Sequence, residues 1–188
     1  MILHPVSRSR RFGIPGLTAT DPTSTSLGRR LDDAYHWFRS VAPGGIQPVD
    51  AVVVGPGGTY ALTLAGQRGR FARRNGHWYR WNRSTESWVP WDAGPIASAR
   101  LSGRRLSLYL ERAGLPAAVD AVLLSPRGME VTADAADPIG VTLERDPDRL
   151  ATLVSAHERL SRTQVDRIVA LLDPRQPLPQ LARATPHG

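Results

Sequence analysis

Two residue types are missing from this chain of 188 residues, which contains neither cysteine nor lysine. Without cysteine there is no disulfide framework, no thiolate metal site and no cysteine nucleophile. Without lysine there is no Schiff-base chemistry, no P-loop lysine and no lysine to stabilise a pentavalent phosphate. The 24 basic residues are therefore all arginine, and with 17 acidic residues they leave a net charge of +7. This balance favours a polyanionic partner such as nucleic acid.

Long apolar runs are also missing. No stretch of 18 apolar residues is present, so no membrane span is expected. The first eleven residues contain arginines but no apolar run after them, which is not the pattern of a secretory signal. We expect a cytoplasmic protein with no membrane partner.

The two ends of the chain are predicted to lie outside the folded core. Residues 1–26 are rich in Pro, Ser, Thr, Gly and Arg without apolar periodicity, which predicts a disordered N-terminal arm. Residues 174–188 contain four prolines and predict a Pro-rich C-terminal tail. Residues 27–173 remain for one α/β domain.

Within the core, the apolar pattern predicts a mixed β-sheet flanked by helices. Apolar residues at helical spacing predict a first helix over 27–41. Two apolar runs, 49–54 and 59–65, are separated by Gly-Pro-Gly-Gly and predict a hairpin rather than a phosphate-binding loop, which would join a strand to a helix. The remaining elements are a hairpin at Asn75-Gly76, a helix over 96–113, strands over 117–124, 128–132 and 140–143, a helix over 146–157, and a last helix opened by the capping box Ser161 and Gln164.

The segment 68–91 interleaves arginines with aromatic residues. Six arginines precede the first acid, Glu86: Arg68, Arg70, Arg73, Arg74, Arg80 and Arg83. A turn at Asn75-Gly76 places Arg73 opposite Trp78, which leaves both faces of the hairpin mixed. One interpretation is a nucleic-acid-binding surface, with guanidinium groups on phosphates and aromatic rings stacked on bases. The other is an ordinary hairpin with solvated arginines.

Residues with catalytic potential are few. No Gly-x-Ser-x-Gly or His-Glu-x-x-His motif is present. Asp50 opens an apolar strand, where aspartate is unfavourable. It is either a metal ligand at the strand end or a turn residue after the bend at Pro48.

The run from Val49 to Leu62, in which Asp50 precedes an apolar strand, a Gly-Pro-Gly-Gly turn and a second strand, resembles the nuclease-related domain (NERD) family. Weaker matches to the family extend the resemblance over about 27–172: Gly69-Arg70, Trp78, Pro95, the strand at 119–124 and Leu160-Ser161. The resemblance implies a restriction-endonuclease-like fold. It also implies a site in which an acidic pair and a lysine use a divalent metal to cleave phosphodiesters.

Carried over one position at a time, the family's strand aspartate falls on Asp50. The glutamate and lysine of its second strand fall on Thr63 and Ala65, and the glutamate of its first helix falls on Arg29. Mg²⁺ needs two or more carboxylate oxygens here, and one aspartate holds it weakly. The resemblance therefore implies a degenerate, non-catalytic member that needs no cofactor. The arginine-rich hairpin adds the expectation that this member binds DNA or RNA.

Two alternatives stay open. The first is an active Mg²⁺-dependent nuclease with a rearranged site around Asp50, supported by Gln67, Glu86 or Asp92. The second is a protein-interaction module whose partner the sequence does not identify.

Overall fold

The computed structural model describes residues 1–4, 22–43, 47–125, 128–133 and 139–173. Within these ranges the chain forms ten strands and four helices. In chain order they are β1 (Ile2–Leu3), α1 (Pro22–Arg30), β2 (His36–Val41), β3 (Val49–Gly55), β4 (Gly58–Leu64), β5 (Gly69–Arg74), β6 (His77–Asn82), β7 (Ser87–Pro90), α2 (Gly94–Arg112), β8 (Val119–Leu124), β9 (Met129–Ala133), β10 (Thr142–Glu144), α3 (Pro147–Ser155) and α4 (Arg162–Leu172).

The larger sheet has six strands in the order β1-β2-β3-β4-β8-β10. β2, β3 and β4 are antiparallel neighbours, whereas β1 is parallel to β2, and β8 is parallel to both β4 and β10. The predicted hairpin at 49–65 is confirmed, since Ala51 pairs with Leu62 and Gly55 with Gly58. The fold is therefore α/β with a mixed sheet, as the sequence predicts.

Helices cover both faces of this sheet. On one face Leu27 of α1 and Val154 of α3 pack with Trp37 of β2, all of them buried. On the other face Leu106 of α2 and Ile168 of α4 pack with strand residues of β2, β3 and β4. Full burial of each such side chain contributes about 1.5–3 kcal/mol, so both helix layers stabilise the sheet.

The helix ends follow the capping chemistry of the sequence. The side chain of Asp146 accepts a hydrogen bond from the backbone N–H of Asp148 at the start of α3. Ser161 and Gln164 form the predicted capping box of α4. Gly114 follows α2 with φ of 65°, the left-handed conformation that glycine adopts without strain.

A smaller sheet of four strands, in the order β7-β6-β5-β9, stands beside the larger one. Phe71 of β5 and Met129 of β9 are buried against Ile96 of α2 and Leu123 of β8. The N-terminal half of α2 thus covers the smaller sheet, and its C-terminal half covers the larger one.

The same register relates one parallel strand pair in each of the two sheets. Leu64 pairs with Leu124 in the larger sheet, and Gly69 pairs with Met129 in the smaller one, so the partner lies 60 positions later in both. Between the sheets, the N–H of Ala65 donates to the carbonyl of Leu124 at 2.9 Å. The parallel pairs of the two sheets therefore share one register.

The helix predicted over 27–41 is wrong. That range contains the end of α1 and the whole of β2. Trp37 packs on one face of the larger sheet and Phe38 on the other. An interior strand that is buried on both faces loses the alternation that identifies strands, and its apolar residues then match helical spacing by coincidence.

The N-terminal arm predicted over 1–26 contains regular structure at both of its ends. Ile2–Leu3 adds a parallel strand to β2, and α1 begins at Pro22. Residues 5–21 and the predicted tail, 174–188, lie outside the described residues. Among the described helices none is long and apolar enough to cross a membrane.

Candidate nucleic-acid interface

The hairpin of β5 and β6 turns at Asn75 and Gly76, whose φ values are 50° and 78°. Arg73 lies opposite Trp78 and Arg74 opposite His77. Positive φ at both turn residues gives the backbone twist that keeps the two strands paired. The arginine-rich segment is thus part of a sheet, and successive side chains point to opposite faces of that sheet.

One face of the smaller sheet is the core face. The ring of Phe71 lies 4.4 Å from that of Trp91, and Trp78 meets Trp91 edge-on at 5.9 Å between centroids. The guanidinium of Arg73 lies 5.7 Å from the Trp78 ring at the rim of this face. Two of the five tryptophans therefore belong to the packing against α2.

The opposite face, here called the outer face, carries the side chains that alternate away from the core: Arg70, Ala72, Arg74, His77, Tyr79, Trp81, Trp88, Pro90, Glu130 and Thr132. Trp81 and Trp88 are cross-strand partners, with centroids 5.3 Å apart and planes at 66°. Both rings are half-buried. The two rings are thus presented together on one side of the sheet.

Arginine side chains lie against these tryptophans. The guanidinium of Arg70 is 5.7 Å from the Trp81 ring and 6.0 Å from the Trp88 ring, and that of Arg74 is 5.2 Å from Trp88. A cation held over an aromatic face keeps its charge, whereas one paired with a carboxylate is neutralised. The outer face is therefore aromatic and positively charged at the same place.

At one end of the smaller sheet lies a cavity of about 750 Å³, here called the arginine cavity. Its lining residues are Arg68, Gly69, Arg70, Arg80, Trp81, Asn82, Arg83, Ser84, Val89, Gly128 and Glu130. Four of the six predicted arginines meet there, and Arg73 and Arg74 lie at the other end of the hairpin. Arg70 and Trp81 belong to the cavity and to the outer face, so the two surfaces are continuous.

The charge of the arginine cavity is almost uncompensated. Its one acidic lining residue in the described part of the chain is Glu130, whose carboxylate lies 3.6 Å from the guanidinium of Arg145. Over the described ranges, the four cavity arginines form no ion pair with an acid. Such a group attracts an anion with several oxygens, because each guanidinium can donate two parallel hydrogen bonds.

The nuclease-like positions Asp50 and Thr63 lie on β3 and β4 of the larger sheet, and neither lines the arginine cavity. Asp50 and Thr63 lie on adjacent antiparallel strands, one step beyond the pair Ala51 and Leu62. The Asp50 Oδ2 accepts a hydrogen bond from the backbone N–H of Leu64 at 2.9 Å. Burial raises the pKa of the Asp50 carboxyl above its usual range, and the hydrogen bond from Leu64 offsets part of that shift. The Asp50 side chain therefore accepts a backbone hydrogen bond where the pairing of the two hairpin strands ends.

The other nuclease-like positions supply no second acid beside Asp50. Thr63 and Ala65 are buried, and Arg29 is exposed on α1.

The residues considered as replacements are scattered. Glu86 lies in the β6–β7 turn, and the Asp92 carboxylate accepts a hydrogen bond from the Gly94 N–H at the start of α2. Gln67 lies two residues after Ala65, and its side-chain oxygen Oε1 is buried without a hydrogen-bond partner. Across the described ranges, no three His, Asp or Glu side chains gather as a metal site would require.

The Gly-Pro-Gly-Gly turn of β3 and β4 holds the connection between α3 and α4. The carbonyl of Pro56 accepts hydrogen bonds from the N–H groups of Arg159 and Leu160 at 2.7 and 3.0 Å. The Arg159 Nε donates to the carbonyl of Gly57 at 2.6 Å, and its guanidinium pairs with Asp120. The turn thus has a packing role that its glycines alone do not reveal.

Sequence reasoning missed the strand partners that complete the outer face. Trp88 on β7 and Glu130 on β9 were not among the predicted site residues. The alternation Ser-Trp-Val-Pro at 87–90 is a signal for β7, but no local signal pairs β9 with β5 across 60 residues.

No protein-family model, no curated protein and no solved structure matches this chain.

Proposed function

We propose that this chain is a degenerate nuclease-related domain with a restriction-endonuclease-like fold, which binds nucleic acid without cleaving it. The phosphates lie in the arginine cavity. The observation that carries the proposal is the convergence of four arginines on one cavity in which Glu130 is the single acidic lining residue among those described. Phosphate neutralisation by such groups supplies most of the sequence-independent affinity for nucleic acid.

The β3–β4 hairpin supports the proposed ancestry. Its aspartate, its apolar strand and its Gly-Pro-Gly-Gly turn stand in the middle of a mixed sheet, with Asp50 and Thr63 at the same end of adjacent strands. These are the positions at which the family resemblance places the metal ligands.

The chemistry of those positions supports binding without cleavage. A metal-dependent phosphodiesterase needs carboxylates to hold the ion and a group to orient the attacking water. The Asp50 carboxylate is engaged by the Leu64 N–H, Thr63 offers a neutral hydroxyl, and Ala65 has no polar atom. The hairpin therefore keeps the scaffold of the site and lacks its reacting groups.

A salt titration tests the binding surface. Fluorescence anisotropy with a labelled duplex should give an apparent affinity whose logarithm falls linearly with the logarithm of salt concentration. Arg68→Ala with Arg83→Ala should make that slope shallower by about 2, since each phosphate contact contributes roughly 0.9. Arg162→Ala with Arg167→Ala, which removes the same charge from the exposed surface of α4, should leave the slope unchanged. Equal changes of slope in the two double variants would contradict phosphate binding in the arginine cavity.

A cleavage assay tests the absence of catalysis. Plasmid and oligonucleotide substrates incubated with Mg²⁺ or Mn²⁺ should stay intact. Cleavage that disappears in Asp50→Ala would overturn this half of the proposal and establish a rearranged nuclease.

A further inference from the structure

The geometry points to unpaired nucleotides as the ligand of the outer face, with bases on Trp81 and Trp88 and the backbone leading into the arginine cavity. This inference rests on the proposed function and names the form of nucleic acid that the same surface selects.

The outer face carries three aromatic side chains on which bases can stack. Tyr79, Trp81 and Trp88 are all half-buried, and all three lie on the side of the sheet turned away from α2. Ala72, the cross-strand partner of Tyr79, is 2% exposed. The rings and the guanidinium groups of Arg70 and Arg74 thus lie together on one face of the sheet.

The charges of this face accompany the rings. The guanidinium groups of Arg70 and Arg74 lie over the tryptophan rings, which orients their N–H groups. Because a ring carries no net charge, both arginines remain positively charged there. A nucleotide offers a flat base and an anionic phosphate at a short fixed separation. Alternation of rings and guanidinium groups on one surface matches both parts together.

A duplex cannot use the aromatic part of this surface. Its bases are already stacked and paired, and it presents phosphates and groove edges instead. A sheet face that presents partly exposed rings is instead suited to bases that are splayed out of a strand. The arginine cavity accepts phosphates of either form, so preference between the forms must come from the rings.

Paired measurements on three polyanions separate the two surfaces. The full chain is titrated at about 50 mM salt with a single strand of about 20 nucleotides, with the duplex of the same sequence, and with heparin, which has charge but no bases. We expect at least about tenfold tighter binding of the single strand than of the duplex. Tryptophan fluorescence should be quenched by the single strand and not by heparin.

Substitutions at Trp88 assign the preference to the outer face. Trp88→Leu keeps much of the apolar area and removes the ring, and it should weaken single-strand binding about 5- to 100-fold while heparin binding stays within about twofold. Trp88→Phe keeps a ring and should retain part of the affinity with a smaller fluorescence quench. Trp81→Leu should reproduce the effect of Trp88→Leu, and circular dichroism identifies any variant that fails to fold.

Two results overturn the inference and leave the proposed function standing: equal affinity for duplex and single strand, or unchanged single-strand binding in both leucine variants, each with salt-dependent binding of all three polyanions. Absence of salt-dependent binding to any of the three polyanions overturns the proposed function itself, and the inference with it.

Discussion

Asp50 is a half-buried carboxylate with one hydrogen-bond donor, the N–H of Leu64. Its raised pKa means that the folded state binds the proton more tightly than the unfolded chain does. The charged form therefore costs stability, and that cost grows as the pH rises from the unfolded pKa, about 3.9, through the folded one.

Substitutions that remove the charge of Asp50 should therefore not lower the free energy of unfolding at neutral pH, provided that the hydrogen-bond acceptor is kept. Asp50→Asn keeps an acceptor for Leu64 without the charge, so its free energy of unfolding at neutral pH should equal or exceed that of the wild type. The difference should disappear below about pH 4. Asp50→Ala leaves the N–H without its acceptor and should lose about 1–3 kcal/mol. Urea denaturation over a pH series measures both variants.

The same samples test whether Asp50 holds a metal. If it were a ligand, Mg²⁺ would raise the melting temperature of the wild type and not that of Asp50→Asn, since ligands stabilise the state that binds them. We expect Mg²⁺ to have equal effects on the two proteins.

Glu130 is the acid that lies directly opposite Arg70 on the outer face. Its removal should strengthen nucleic-acid binding, because the negative charge opposes an incoming phosphate and also partly neutralises Arg145. Glu130→Gln should raise affinity about two- to fivefold at low salt, the size expected of an exposed charge pair. Glu111→Gln, with the same charge change on α2, should have no effect, and anisotropy titrations of both variants make the comparison.

At the scale of elements, the chain specifies locally closed units well. The hairpin at 49–65, the turn at Asn75-Gly76 and the capping box at Ser161 are each set by neighbours in sequence, and each occurs where predicted. β2 was misassigned because its residues are buried from both sides by partners distant in sequence. The role of Asp50 was also missed, since the Leu64 N–H that it serves is brought near only by the hairpin.

Gly57 is the position at which the β3–β4 turn touches α3. A Cβ added there would stand 1.6 Å from the carbonyl oxygen of Val154, which is backbone and cannot rotate aside. Gly57→Ala should therefore force α3 away from the sheet and cost about 3 kcal/mol, the upper end of ordinary overpacking.

The control for Gly57→Ala is Gly66→Ala, since a Cβ at Gly66 meets nothing within 4 Å. Thermal denaturation should show a clear loss for the first variant and almost none for the second. Equal melting temperatures would contradict the close approach of the turn to α3.

The contact between α1 and α3 depends on Asp148. Its carboxylate accepts hydrogen bonds from Arg30 at 2.7 Å and from Ser26 at 2.9 Å. The hydrogen bond from Arg30, followed by that from Ser26, lowers the pKa of Asp148, so the stabilisation is present above the unfolded pKa and is lost as the pH falls through the folded one.

Asp148→Asn should therefore destabilise the protein at neutral pH, and the difference from the wild type should shrink as the pH falls through the lowered folded pKa of Asp148. Urea midpoints across this range, compared with those of the wild type, measure the change. A constant difference at all pH values would show that the carboxylate charge plays no part.

At the scale of the whole molecule, the arrangement of the smaller sheet could not be predicted from the sequence. The arginines and rings of 68–83 were recognisable, but their division between a core face and an outer face depends on β7, β9 and α2. The pairing of β5 with β9 closes a loop of about 60 residues, for which no short-range pattern exists. The sequence thus predicts which arginines and aromatic residues belong to the candidate site, but not how they are divided between the two faces of the sheet.

The register shared by the parallel strand pairs of the two sheets limits how this domain can change length in evolution. Loss of one residue from 65–68 alone would slide β5 by one position against β9, and a slip of one residue turns side chains to the opposite face of a sheet. A matching loss between Ser125 and Gly128 would restore the alignment. Divergent copies of the domain should therefore carry deletions and insertions in these two connections in matched pairs.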